Sequence, residues 1–267
     1  MYTSQYHGGG NTTVGFTNSG KITTSATGSD NYIWMTLEAG AWPATRVMAF
    51  ENKGSIGLNG TNDTLVLLGA EYANTGGFTF VNDGTLQLKG ASNKGILVKS
   101  GHNYLSSEIL LNNAMEISGN NSVGIAFPAA TWLDLAGGQP FAAGNTTEAL
   151  ALPTSSRNSI LNFKLSGSNN TGVYFNSTTA KKFNPVEYEI ESENGTNNTL
   201  VAVFDGEVEL GDTKTHKLNI KNGSNNTALY TKSSDVLKTA ADIKIVDSNN
   251  SIGIFAENSG TVTNTGS

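Results

Sequence analysis

The chain has 267 residues, a formal net charge of -6 and a pI near 5.1, with only 14% charged residues and 31 glycines. The acidic balance argues against nucleic acid as a partner, and the absence of Cys excludes disulfides, thiol catalysis and cysteine-ligated metal. No apolar run approaches the length of a membrane span and Met1–Gln5 hold no signal-peptide core. The Asn, Ser, Thr and Gly content comes with too regular an alternation for a disordered chain.

In chain order, residues 1–13 are rich in Gly and Thr and lead into a first corner, Phe16-Thr-Asn18-Ser-Gly20-Lys-Ile22. The same corner returns at Phe50-Glu-Asn52-Lys-Gly54-Ser-Ile56 and at Phe80-Val-Asn82-Asp-Gly84-Thr-Leu86. After each of the last two comes a short alternating strand, a small polar turn and a second strand, as in Leu86-Gln-Leu88-Lys-Gly90-Ala-Ser-Asn93-Lys-Gly95-Ile96-Leu-Val98. The strand-and-turn half recurs seven times, and its turn residues at 60, 90, 119, 167, 195, 223 and 247 lie 30, 29, 48, 28, 28 and 24 apart.

A period of this size marks a solenoid whose units bury their apolar faces only by stacking on one another. The units are strands, so the predicted fold is all-β, a parallel β-helix. Asn, Ser and Gly are expected at the corners because they accept left-handed backbone angles. A hairpin-built sandwich is the competing fold, but its turns would have no reason to resemble one another.

The repeat stops twice, over residues 29–49 and 128–157, and these read as two loop insertions in a single β-helix segment spanning 1–267. Together they hold all three Trp, four of the five Pro and both Arg. From Ser159 onward the coils are regular. Stacking the strands at 163, 188, 218 and 243 sets Lys164 beside Glu189, Glu187 beside Lys217 and Glu191 beside Lys221, and predicts amide ladders of Asn169, Asn197, Asn225 and Asn249. The last residues, Glu257 to Ser267, open a corner and stop before its strand, so the sequence reads as part of a longer array.

The Asn-x-Gly-x-Ile corner, the Gly-x-Asn-Asn-Thr-Gly turn at Gly167–Gly172 and the run Ile252-Gly-Ile-Phe-Ala-Glu-Asn-Ser-Gly-Thr-Val-Thr-Asn-Thr-Gly266 resemble passenger domains of type V autotransporters. The nearest likeness is to the large fusobacterial outer-membrane adhesins. The resemblance covers residues 14–267 apart from the two departures. It implies a right-handed parallel β-helix (solenoid) on a bacterial cell surface, attached to the outer membrane through a C-terminal barrel absent from this chain. The partner it implies is a host cell-surface protein or glycan, or the surface of partner bacteria.

No catalytic set, cofactor or metal is expected. The sequence has neither a Gly-Asp-Ser-Gly nor a Gly-x-Ser-x-Gly signature and no His-Glu-x-x-His, and His7, His102 and His216 read as solvated or corner residues. The acidic runs Glu187, Glu189, Glu191 and Asp205, Glu207, Glu209 read as solvent faces of strands, with a calcium site or paired catalytic acids as alternatives. Three functions follow: an adhesin segment, a spacer that projects a distal binding region, and, remotely, a polysaccharide-degrading enzyme. The expected ligand contacts lie in the departures: Trp34, Trp42 and Trp132 for aromatic area, and Arg46 and Arg157 as polar anchors. Core packing is the rival reading of each Trp.

Overall fold

The computed structural model describes residues 2–5, 13–38, 47–70, 77–98, 103–104, 108–127, 132–133, 159–176, 181–182, 187–204, 206–210, 216–232 and 236–266. Among them every regular element is a strand, and every strand pairs in parallel with the strand one coil away. The fold is a parallel β-helix. A coil from the N-terminal half runs through Val47–Asn52, bends at Lys53-Gly54, continues as Ser55–Leu58, turns through residues 59–63 and returns as Thr64–Ala70.

Stacking builds one nine-stranded sheet from the third strand of each coil and one twelve-stranded sheet from the first two. The two columns of the larger sheet flank the Asn-x-Gly corner and merge at Ile160–Leu165. There Leu110 pairs with Ile160 and Met115 with Phe163, so five steps on one coil face three on the next and the corner disappears. A four-stranded sheet, Lys181–Lys182, Glu207–Leu210, Val236–Thr239 and Thr261–Asn264, supplies a third face in the C-terminal half. The corner returns at Asn264, whose Oδ1 accepts from Gly266 N at 3.2 Å as Asn18 Oδ1 does from Gly20 N at 3.1 Å.

Period-two alternation sends one side chain of each pair into a narrow interior, where the same position of successive coils forms a column. Val66, Ile96, Ile125, Val173, Val201 and Leu229 are one such column. Phe16, Phe50 and Phe80 form another, with centroids 5.1 and 5.5 Å apart. Burying each of these large apolar side chains contributes about 1.5–3 kcal/mol, and each does so only against its neighbours above and below.

Polar side chains organise both corners. At the first, Asn18 donates to Asn52 Oδ1 at 2.8 Å, Asn52 to Asn82 Oδ1 at 2.7 Å and Asn82 to the carbonyl of Asn113 at 2.8 Å. At the second, a buried column of Asp63, Asn93, Ser122, Asn170, Asn198 and Asn226 accepts the backbone N–H of its counterpart one coil earlier. The amides of Asn170, Asn198 and Asn226 then donate back to the carbonyls of Gly119, Gly167 and Gly195, so each side chain ties two coils together. This ladder lies one residue beyond the expected Asn169, Asn197 and Asn225, and in the last coil two beyond Asn249, where Ser251 Oγ accepts from Asn226 N at 3.2 Å. Asn169, Asn197 and Asn225 have φ of 57, 55 and 55° and point outward, which turns the following Asn inward.

The turn glycines also have a different reason from the expected one. Left-handed φ belongs to Asn, Asp and Ser at twelve described positions, whereas Gly206 is the one described glycine with positive φ. Gly90, Gly119 and Gly167 are needed because coils touch there, as a Cβ on each would lie 1.7–1.9 Å from a carbonyl oxygen of the preceding coil.

The charged register is shifted by two residues from the expected one at one strand. Phe163 pairs with Ile190, because Glu187–Glu193 extends past the aligned Tyr188-Glu-Ile190, so Lys164 faces Glu191 and Lys217 faces Glu189. Lys217 and Glu189 approach to 3.7 Å, and Lys221 forms the expected ion pair with Glu191, which holds its ammonium above the usual lysine range.

Candidate ligand-binding face

Of the five residues expected to contact a ligand, Trp34 is the one whose side chain is described, and it is a core residue. It is 1% exposed and stacks on Phe50 at 5.2 Å. It sits in a strand, Tyr32–Glu38, that pairs with Tyr2–Gln5 on one side and Thr64–Ala70 on the other. Residues 29–38 and 47–49 of the first departure are therefore ordinary coil, whose period the tryptophan conceals. Trp42, Arg46 and Arg157 lie outside the described residues. Trp132 opens a two-residue strand, Trp132–Leu133, beside Asn103–Tyr104, and the rest of 128–157 lies outside the described residues.

His216, expected as a solvated or corner residue, is not solvated: it is fully buried and stacks on Tyr188 with centroids 4.1 Å apart. His7 and His102 lie outside the described residues. The Tyr188 hydroxyl bonds to Thr239, and burial pushes the phenol above its usual 10.0. A raised phenol keeps its proton in the folded state while the unfolded chain releases it above pH 10. The associated stability is therefore present below pH 10 and lost as pH rises, by up to about 1.4 kcal/mol per pH unit. Urea unfolding at about pH 9 and about pH 11 is expected to show this loss, and Tyr188→Phe is expected to reduce it by one titrating group.

Glu187 and Glu189 lie on the solvent side of their strand, and Glu191, 9% exposed, is held by Lys221. Among the described residues no three of His, Asp and Glu converge to hold a metal ion.

The outer face of the nine-stranded sheet differs from the rest of the surface. Alternation turns Leu97, Ala126, Tyr174, Ala202, Tyr230 and Phe255 outward in one row, each paired with the next coil's member. One row toward the strand starts are Thr171, Thr199 and Thr227, and one row beyond the ends are Asn176, Phe204, Lys232 and Glu257. The rings run continuously along the axis: Tyr174 to Phe204 is 5.3 Å, Phe204 to Tyr230 5.1 Å and Tyr230 to Phe255 5.7 Å. Phe204 is 38% exposed and Phe255 41%.

Because Ala126 and Ala202 are small, the face dips on either side of Tyr174 into an open groove of about 380 Å³, walled by Thr171, Thr199 and Phe204. Lys94 stands at one end, held by Asn62 and by the carbonyl of Ser92 at 3.2 Å. Burial pushes its ammonium down, and Asp30 offsets this only in part. Lys232 lies 5.9 Å from the Phe204 ring centre, and Tyr230 donates its hydroxyl to Glu257.

No family model, no curated protein and no solved structure matches this chain. The face must therefore be read from its own chemistry, which is flat apolar contact area with hydroxyls along one side and cations at its rims. The sequence carries a signal for it. In Gly172-Val-Tyr174, Ala228-Leu-Tyr230 and Gly253-Ile-Phe255 the aromatic follows an inward residue and must face out.

Proposed function

We propose that this β-helix is an adhesive segment of a surface-displayed protein that attaches to host cells or to other bacteria, with the outer face of the nine-stranded sheet as its contact surface. The supporting observation is the run of Tyr174, Phe204, Tyr230 and Phe255 on the solvent side of the coils. A coil needs nothing apolar there, and aromatic rings are the side chains that carry most of the energy of recognition surfaces. The resemblance to autotransporter adhesins supports the same reading, which includes display at the bacterial outer membrane.

The test is saturable binding of the folded fragment to epithelial cells and to partner bacteria, beside a Tyr174→Ser, Phe204→Ser, Tyr230→Ser variant of unchanged far-UV signal. Loss of binding by about a hundredfold or more is expected, since each of the three rings contributes on the order of 1 kcal/mol or more. Binding that persists in the variant returns the contact to residues 39–46 and 128–157. The coil-to-coil ladders favour a second reading, a stiff spacer, and that reading requires no saturable binding by the fragment at all.

A further inference from the structure

The groove also restricts what can lie in it. The strands beneath it, from Lys94–Val98 to Thr227–Thr231, are central members of a parallel sheet, and their backbone groups are committed to neighbours above and below. A peptide cannot add there as a strand, because that mode needs a sheet edge. An occupant must bring flat C–H faces to Tyr174, Phe204 and Tyr230 and polar groups to the hydroxyls of Thr171 and Thr199. Pyranose rings do both at once, with hydroxyls around the rim and apolar ring faces.

Charge narrows the class further. The groove lining contains one ionisable cation, Lys94, and no carboxylate, in a chain whose net charge is -6. Lys232 adds a second cation over Phe204 at the far rim, and the carboxylate beside it, Glu257, lies a coil beyond and accepts the Tyr230 hydroxyl. The groove crosses five strands, so its length is roughly 19 Å at a strand spacing of ~4.8 Å, room for several linked sugars. Resting on the adhesive reading above, we propose that this groove binds a linear oligosaccharide bearing carboxylates, its rings stacked along the Tyr174–Phe204–Tyr230 row and its acid groups at Lys94 and Lys232.

The probe is a hyaluronan hexasaccharide, with one carboxylate in each disaccharide, titrated calorimetrically into the whole chain; chitohexaose, of the same length without acids, is the control. Saturable hyaluronan binding is expected. Phe204→Ser is expected to weaken it about tenfold, the value of one stacked ring, while Phe204→Tyr retains it. Lys94→Gln is expected to weaken it about threefold and to flatten its salt dependence. No hyaluronan binding, equal binding of chitohexaose, or indifference to Phe204→Ser each overturns the proposal. Cell attachment separates the two levels. If the triple ring variant loses attachment while hyaluronan neither binds nor competes, the ligand class fails and the face stands. If the variant attaches as well as the parent, the adhesive reading of the face fails.

Discussion

Gly119→Ala is expected to abolish cooperative folding. The added Cβ would sit 1.9 Å from the carbonyl oxygen of Gly90, a backbone atom rather than the movable end of a side chain, and one that already accepts from Ser122 Oγ at 3.3 Å. Relief requires the coils to part by on the order of 1 Å, which breaks the bonds from Ser118 N and Gly119 N to the carbonyl of Leu88, both 3.0 Å. A cost above about 4 kcal/mol follows, the range reached only by a buried clash or a lost network. Gly57→Ala is the control. Its nearest contact is 3.5 Å, to a methyl of Thr23, and the change is expected to alter stability by less than about 1 kcal/mol. Urea unfolding followed by far-UV circular dichroism reads both. A Gly119→Ala protein with an unchanged midpoint would mean that the coils are not packed at backbone contact.

Asn198→Leu is expected to be nearly as damaging, by about 3–5 kcal/mol. The side chain accepts from Asn170 N at 2.8 Å and donates to the carbonyl of Gly167 and to Ser192 Oγ, both at 3.1 Å. Leucine leaves these groups buried without that partner, at about 1–3 kcal/mol for each. The adjacent Asn197 supplies the contrast. It is exposed with φ of 55°, so Asn197→Gly is expected to be neutral within about 0.5 kcal/mol, whereas Asn197→Val costs about 1–2 kcal/mol for its backbone angle. Denaturation midpoints of the three variants measure this. A larger loss at 197 than at 198 would mean that the ladder and the left-handed position had been exchanged.

The fold was legible because a β-helix writes its geometry once per coil, and the Gly-x-Asn-Asn turn and the Phe-x-Asn-x-Gly corner repeat with it. Register was less legible. Tyr188-Glu-Ile190 satisfies the strand pattern in two frames, and only the length of Glu187–Glu193 selects the pairing of Phe163 with Ile190. The Asn-Asn doublets carry the same ambiguity, since either residue can bond and only the backbone angle decides which faces inward. Trp34 interrupted the pattern without interrupting the coil, because it stands in register with Val66 and its indole points inward to stack on Phe50 across the core. The outer aromatic row was present in the alternation of three strands, yet it becomes a groove only when the coils are stacked and Ala126 and Ala202 fall on either side of Tyr174.

The side-chain ladder at the second corner has a mechanical consequence. The side chains of Asn170, Asn198 and Asn226 tie their coil to the one before it, so no bond in that series spans the whole stack. Tension applied through the chain ends would therefore peel coils in succession rather than break the assembly at once. Each release of a 28-residue coil frees roughly 95 Å of extended chain. A stack built this way is expected to lengthen under load one coil at a time.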